Sequence, residues 1–386
     1  MNNVNLKKIK PLEKVFQTNT IPAAFSSSDY FAPYLGITLQ SIIEKSDPDY
    51  NYDFVVFTKD MSEFNQKVLS DICNRPNVSL RFVNVKEIFE NLNLYTPKHI
   101  TIETYFRLII PVFMKSYNKI LFLDSDLLIL EDIKNLYNFD IKDYAVAATE
   151  ECLMSALLGI CGEYAVKYMY ETLKLKNPDK YFQAGVMIFN IDYFNEHNCS
   201  EKLMEMVLNF NYNIVDQDAL NELLNDKCFW LPNEWNYPPL QKHMKEMNYL
   251  ENMSDFIREK YLAVKEPKIL HFADCEKPWF DPTEDYATDW WFYARKSPYY
   301  EEIMRRMCLK GVPEPPPPPV NLEMIRDLTQ SHAETLKNVV QYKKNVLKYW
   351  KYKIFSNFVF GKTKDRYRHK KYVYKQKIRS VKKYFK

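Results

Sequence analysis

Apolar residues in this chain recur in two rhythms. The short apolar run at 21–25 and the apolar-rich stretches 53–58 and 79–85 read as strands, and stretches with apolar positions three and four apart at 34–43 and 61–73 read as helices. Within 34–43 the repeating positions are Leu35, Leu39, Ile42 and Ile43. Strand and helix alternate, which predicts an α/β fold with a mostly parallel sheet covered on both faces. The run 119–130, Lys-Ile-Leu-Phe-Leu-Asp-Ser-Asp-Leu-Leu-Ile-Leu, predicts the strand at the centre of that sheet, buried on both sides. Further strands are expected at 145–149, 181–190 and 268–272, and helices at 152–175, 201–209 and 219–224. An aspartate of 216–218 is expected to cap the last of these helices.

Two carboxylates interrupt the central run. Asp124 and Asp126 are two residues apart, so if the extended conformation continues their side chains share one side. Two buried like charges repel and are costly to desolvate. A cation between them, or a ligand at the strand's end, removes that cost, and oxygen ligands suit Mg²⁺ or Mn²⁺. The plain alternative is a strand that ends at Ser125 and leaves both aspartates in water. In open sheets of this kind ligands bind beyond the carboxyl ends of the strands, where this pair falls.

Composition narrows the chemistry. Hydrophobic residues make up 46% and aromatics 16% of 386 residues, enough for a large core and against disorder. Only six glycines occur, with neither Gly-x-Gly-x-x-Gly nor a Walker-type loop, so no glycine-rich turn holds a phosphate. The seven cysteines are scattered and contain no Cys-x-x-Cys pair. That argues for reduced thiols in a cytoplasmic setting and against a zinc ribbon. The first fourteen residues are polar and basic without an apolar core, so no signal peptide is expected. No apolar run reaches the length of about 18 residues that a spanning helix needs.

The net charge of +3 conceals an asymmetry. Residues 337–386 carry 18 Lys and Arg against the single acid Asp365, a net +17, and the rest of the chain is left at −14. The run at 312–320, with five consecutive prolines from Pro315 to Pro319, is a stiff break. Beyond it Val339, Tyr342, Val346, Trp350 and Ile354 recur at helical spacing with lysines between them. The expected organisation is a polar lead at 1–19, a main domain at 20–311, the proline break at 312–320 and a basic amphipathic helical tail at 321–386. Such a tail fits an anionic membrane surface. A solvated tail and nucleic-acid binding are the alternatives, and the interleaved Tyr, Trp and Phe favour an interface.

Four separated segments form an ordered series. They are Phe-Ser-Ser-Ser-Asp-Tyr-Phe-Ala-Pro-Tyr-Leu from Phe25, Thr-Tyr-Phe-Arg-Leu-Ile-Ile-Pro from Thr104 leading into 120–127, Gln-Ala-Gly-Val-Met-Ile-Phe-Asn from Gln183 with Asp216-Gln217-Asp218 after it, and His271 to Trp279 with its Lys-Pro-Trp. Over about residues 20–300 this series resembles glycosyltransferase family 8, the retaining nucleotide-sugar enzymes that include glycogenin and the lipopolysaccharide galactosyl- and glucosyltransferases.

The resemblance implies a GT-A, Rossmann-like nucleotide-sugar fold. It matches Asp124 and Asp126 to the family's metal-binding Asp-x-Asp, and His271 to its third metal ligand. Lys277 matches a lysine that contacts the diphosphate, and Arg107 an arginine near the donor. Asp216 matches the residue that holds donor hydroxyls, and Gln217 the one beside the anomeric carbon. Ser28, Asp29, Ser125 and Gln183 fall at nucleotide-sugar positions. Without the resemblance, His271 reads as a core histidine, Lys277 as a surface lysine, Arg107 as a helix-surface ion pair and Asp216 as a helix cap.

The sequence departs from the family pattern at four points. Ser28 stands where an aspartate usually contacts the uracil, Tyr30 where an asparagine often sits, Gln183 in place of an asparagine, and Asp274 in place of a glycine. These positions bear on base and sugar choice. The aromatic segment 289–300 reads mainly as core, with stacking on acceptor sugars as the alternative, and is similar to the C-terminal extension of lipopolysaccharide-type members.

The resulting expectation is a membrane-associated hexosyltransferase on the cytoplasmic face. It moves glucose or galactose from a UDP-sugar to a surface glycan such as lipopolysaccharide or capsule, with Mn²⁺ or Mg²⁺. A sugar nucleotidyltransferase and a non-enzymatic GT-A scaffold are the alternative readings. The first of these lacks its usual glycine-rich loop here.

Overall fold

The computed structural model describes residues 6–97, 100–273 and 276–309. The proline break at 312–320, the basic tail at 321–386 and Asp274 lie outside the described residues.

Seven strands form one sheet in the order β3-β2-β1-β4-β7-β6-β8. They are β1 (Thr20–Ser26), β2 (Asn51–Thr58), β3 (Val78–Asn84), β4 (Lys119–Leu123), β6 (Val146–Ala148), β7 (Val186–Asn190) and β8 (Cys228–Trp230). Only β7 runs against its neighbours in this sheet. A second, two-stranded sheet pairs β5 (Leu127–Ile129) with β9 (Ile269–His271). The expected α/β, GT-A-type architecture is therefore present, mostly parallel as the alternating pattern predicted.

The strand sequences explain the layers. Along β2, Phe54 and Val56 join the core on one face of the sheet, while Val55 and Phe57 join the core on the other. Along β4 the same division separates Leu121 and Leu123 from Ile120 and Phe122. The central residues of β2 and β4 are apolar at consecutive positions because both faces are covered.

The chain runs outward from β1 to β2 to β3, then crosses back to place β4 on the other side of β1. The loops leaving β1 and β4 thus diverge, and their carboxyl ends open a crevice at this switch in strand order. The stretch read as a polar lead is packed onto the domain as far as it is described. Leu6 is only 2% exposed, and the Leu12 backbone N–H donates to Phe113 O at 2.7 Å. Among the described residues no helix is long and apolar enough to cross a membrane, and Cys73, Cys152, Cys161, Cys199, Cys228 and Cys308 are free.

Candidate metal centre and donor cleft

The run 119–130 is not one strand. β4 ends at Leu123, Ser125 and Asp126 turn, and β5 leaves for the second sheet. The reason lies in the partners. β4 pairs with β7 up to Leu123 opposite Val186, whereas β5 pairs with β9, Leu127 opposite His271. The turn is held from behind by buried Thr38, whose hydroxyl donates to Leu127 O at 2.8 Å and contacts Ser125 O at 3.1 Å. The Ser125 hydroxyl donates to Ser26 O at 2.8 Å, tying the ends of β4 and β1 together.

These pairings assemble the site. The Asp124 N–H donates to Gly185 O at 2.8 Å, and the Phe272 N–H donates to Asp126 O at 3.1 Å. His271 Nε2 consequently stands 3.3 Å from Asp126 Oδ1 and 3.8 Å from Asp124 Oδ2. One ligand atom from each of Asp124, Asp126 and His271 lies within 4.8 Å of the others. Neither aspartate simply faces water, and His271 is not merely a core residue.

Asn236 fixes the ring. Asn236 donates its amide N–H to Gln183 Oε1 at 2.8 Å, so its carbonyl oxygen is the atom 2.9 Å from His271 Nδ1. Nδ1 is then the protonated nitrogen, and the Nε2 lone pair faces the carboxylates, as a metal ligand requires. Two acidic oxygens and one imidazole suit a divalent cation. Gly185 is necessary here because a Cβ would sit 2.3 Å from the His271 ring and 2.5 Å from Asp124 Oδ2.

Arg107 joins the second half of the site to the first. It lies in the short 3₁₀ segment Ile102–Leu108 with its guanidinium 4.5 Å from the Phe122 ring centroid. Nη2 donates to Asp124 Oδ1 at 3.0 Å, Nη1 donates to Ala184 O, and Nε lies 2.8 Å from Asp216 Oδ2. The side chain is 8% exposed, so this is a buried bridge between two carboxylates, not a helix-surface pair.

Asp216 is the second residue of the helix Val215–Leu224, so it does not cap it. Asp218 takes the backbone role instead, accepting the Ile214 N–H at 2.9 Å together with the Tyr168 and Tyr181 hydroxyls. Asp216 turns inward, where Thr104 donates to Oδ1 while Oδ2 accepts no hydrogen bond among the described residues. Burial pushes its carboxyl up to about 6 against the pull of Arg107 and Thr104.

The charges around this cluster are divided. Burial and the neighbouring Asp126 raise Asp124 despite Arg107. Burial also acts on Asp126, but the Lys277 ammonium and His271 hold it well below the usual carboxylate range. Lys277 Nζ lies 2.8 Å from Asp126 Oδ2 and is 13% exposed, so it is no ordinary surface lysine.

Residues 22–283 match the family model for glycosyl transferase family 8. The chain belongs to glycosyltransferase family 8. Among curated relatives, general stress protein A of Bacillus subtilis is 28% identical over 279 residues, spanning 69% of this chain and 90% of its own length. Glycosyltransferase GlyF of Streptococcus pneumoniae is 24% identical over 283 residues, spanning 72% and 62%. Among solved structures, the bifunctional glycosyltransferase WbbM superposes with a TM-score of 0.70 at 30% identity, over 77% of this chain and 53% of that longer one. The galactosyltransferase LgtC, solved with donor and acceptor sugar analogues, superposes at 0.58 and 23% identity, over 72% and 96%.

Within this family 8 chain the other expected site residues divide into two groups. Gln217 and Gln183 are bonded to the protein through their side-chain amides. Gln217 Oε1 accepts the Ala184 N–H at 2.8 Å and its Nε2 donates to the Tyr181 hydroxyl at 3.1 Å. Gln183 Oε1 accepts from Gly185 and Asn236. In the loop after β1, Asp29 Oδ1 accepts the Ser62 N–H and the Asn65 amide, both at 2.7 Å. The Ser28 hydroxyl is only 3.4 Å from the Phe31 N–H.

Three further residues contact these side chains and had no role assigned from the sequence. Thr104 and Asn236 orient Asp216 and His271. Glu151 accepts the Leu153 N–H at 3.0 Å, bonds the Gln217 side chain and feels the charge of His271, and burial raises its carboxyl. A glutamate just past a predicted strand end was the one available signal. The aromatics of 289–300 pack mainly as core, with Trp290 1% and Trp291 6% exposed, while Phe292 remains 52% exposed.

Proposed function

We propose that this glycosyltransferase moves a hexose, glucose or galactose, from a UDP-sugar to a cell-surface glycan such as lipopolysaccharide or capsule, with retention at the anomeric carbon. The observation that carries the reading is the cluster Asp124, Asp126 and His271 joined through Arg107 to the buried Asp216, whose Oδ2 has Arg107 Nε at 2.8 Å as its ion-pair partner. A sugar hydroxyl can donate to the lone pairs this carboxylate has left, and a diphosphate with its cation satisfies such a cluster.

Asp124, Asp126 and His271 would hold Mn²⁺ or Mg²⁺. When bound, the ion neutralises diphosphate charge and stabilises it as it departs. Lys277 adds a second positive charge on the same side. Arg107 keeps Asp216 and Asp124 in register, so the sugar and diphosphate ends of the donor are positioned together. Gln217 is a poor nucleophile, a neutral amide whose carbonyl oxygen is turned to the Ala184 N–H. Retention is therefore assigned to attack on the face the leaving group vacates. Glu151, beside Gln217, would receive an acceptor hydroxyl.

A panel of UDP-sugars titrated with Mn²⁺, with UDP release as readout, tests this reading. Cation-dependent release from UDP-glucose or UDP-galactose supports it. Release without a divalent cation, or only from another nucleotide's sugars, overturns it. The residues after 320 are assigned to an anionic membrane surface on sequence grounds, each nearby Lys or Arg adding about 1 kcal/mol. Salt-sensitive co-sedimentation with acidic but not neutral vesicles supports this, and capture by duplex DNA alone refutes it.

A further inference from the structure

The family match stops at residue 283, yet the helix Tyr300–Cys308 reaches back to the loop that follows β1. Arg306 on that helix donates from Nη1 to Tyr30 O, and its guanidinium carbon lies 4.5 Å from the Tyr30 ring centroid. Glu302, one turn earlier, accepts from Arg306 Nε at 2.6 Å and fixes its direction. With Nε and Nη1 given to Glu302 and Tyr30, the guanidinium is built to hold the loop.

A second route starts at Tyr299, the N-cap of the same helix. Its hydroxyl donates to Asn65 Oδ1 at 2.9 Å, and Asn65 Nδ2 donates onward to Asp29 Oδ1 at 2.7 Å. Tyr299 is 3% exposed, and its ring fills the space beside Gly36, where a Cβ would meet it at 2.6 Å. The loop Ser28–Tyr30 is thus gripped at Tyr30 by Arg306 and at Asp29 by Tyr299 through Asn65.

We propose that Arg306 and Tyr299 are positioning residues for the nucleotide half of the donor, setting the conformation of the Ser28–Tyr30 loop from a helix beyond the matched family region. This rests on the reading of that loop as the nucleotide side of the cleft. A loop held in its binding conformation beforehand pays less ordering entropy when ligand arrives, so the contacts act on donor affinity and little on the chemical step.

The test uses the full chain with Mn²⁺ and compares Arg306→Gln, Arg306→Lys and Tyr299→Phe with the parent. Arg306→Gln is expected to raise the UDP Kd and the donor KM about tenfold while kcat stays within about twofold. Arg306→Lys restores part of the loss. Tyr299→Phe, which keeps the ring beside Gly36, gives a smaller rise, about threefold, and the double variant shows nearly the product because the two routes are separate. Amide exchange at Phe31 and Ala32 speeds up in each variant, a readout independent of any donor.

An unchanged UDP Kd in Arg306→Gln, with or without faster loop exchange, overturns the proposal. So does a parallel fall of kcat and kcat/KM accompanied by a large loss of thermal stability. Failure of the parent itself to bind UDP is a different result, and it removes the underlying reading of the loop.

Discussion

His271 Nε2 stands 3.3 Å from Asp126 Oδ1, while the opposite nitrogen of the same ring is held by the Asn236 carbonyl at 2.9 Å. An imidazole fixed from behind and facing two carboxylates is the arrangement of a metal ligand. His271→Ala is expected to abolish Mn²⁺ binding measured by calorimetry or electron paramagnetic resonance. Asn236→Ala, which frees the ring to turn, weakens Mn²⁺ about tenfold or more. Unaltered Mn²⁺ affinity in both variants would place the ion elsewhere.

Gly185 offers a steric test of the same centre. A single added methyl at this position meets the His271 ring at 2.3 Å and Asp124 Oδ2 at 2.5 Å. Gly185→Ala is therefore expected to push the ligands apart and lower Mn²⁺ affinity and UDP release together, by about tenfold or more. A variant with normal Mn²⁺ titration and normal turnover contradicts this close approach.

Arg107 separates two carboxylates, Asp216 buried and Asp124 partly buried. Arg107→Met removes the only cation in contact with Asp216 among the described residues and leaves both acids without their bridge. Breaking such a buried pair costs about 3–5 kcal/mol, and a urea denaturation series reads that loss directly. Arg107→Lys keeps a charge but not a fork that spans Asp124 and Asp216, so it recovers part of the stability and less of the activity. Equal stability of the methionine variant and the parent rules the bridge out.

The pH dependence follows from Asp216. Its carboxyl is pushed up to about 6 by burial, and its ionised form is the stronger acceptor for a sugar hydroxyl. Activity is thus expected to fall as the pH drops through about 6. The Thr104 hydroxyl acts to lower this value. Thr104→Val removes that pull, so the acid limb of kcat/KM moves to higher pH. A limb that stays in place, or moves down, shows that another group governs it.

The alternating apolar pattern sufficed for the strand–helix order, the two-sided burial of β2 and β4 and the Asp-x-Asp at a strand end, because these depend on residues a few positions apart. The roles of His271, Lys277 and Arg107 were reached only through resemblance, since nothing near them in the chain distinguishes a ligand from a core or surface residue. The helix cap, the plain alternative for Asp216, does not hold, because an aspartate at a helix start serves equally well for its backbone or for a distant arginine and here Asp216 turns to Arg107. The turn at Ser125 was hidden by an apolar run that continues through it, and only the separate partners of β4 and β5 break it.

What the sequence alone determined is the layered α/β order and the carboxylate pair, both consequences of local periodicity. The tertiary structure decided that β9 lies beside β5, that Arg107 stands between Asp124 and Asp216, and that Arg306 reaches Tyr30. Those contacts join residues far apart in the chain, and their geometry is set by strand register and packing that no local pattern encodes.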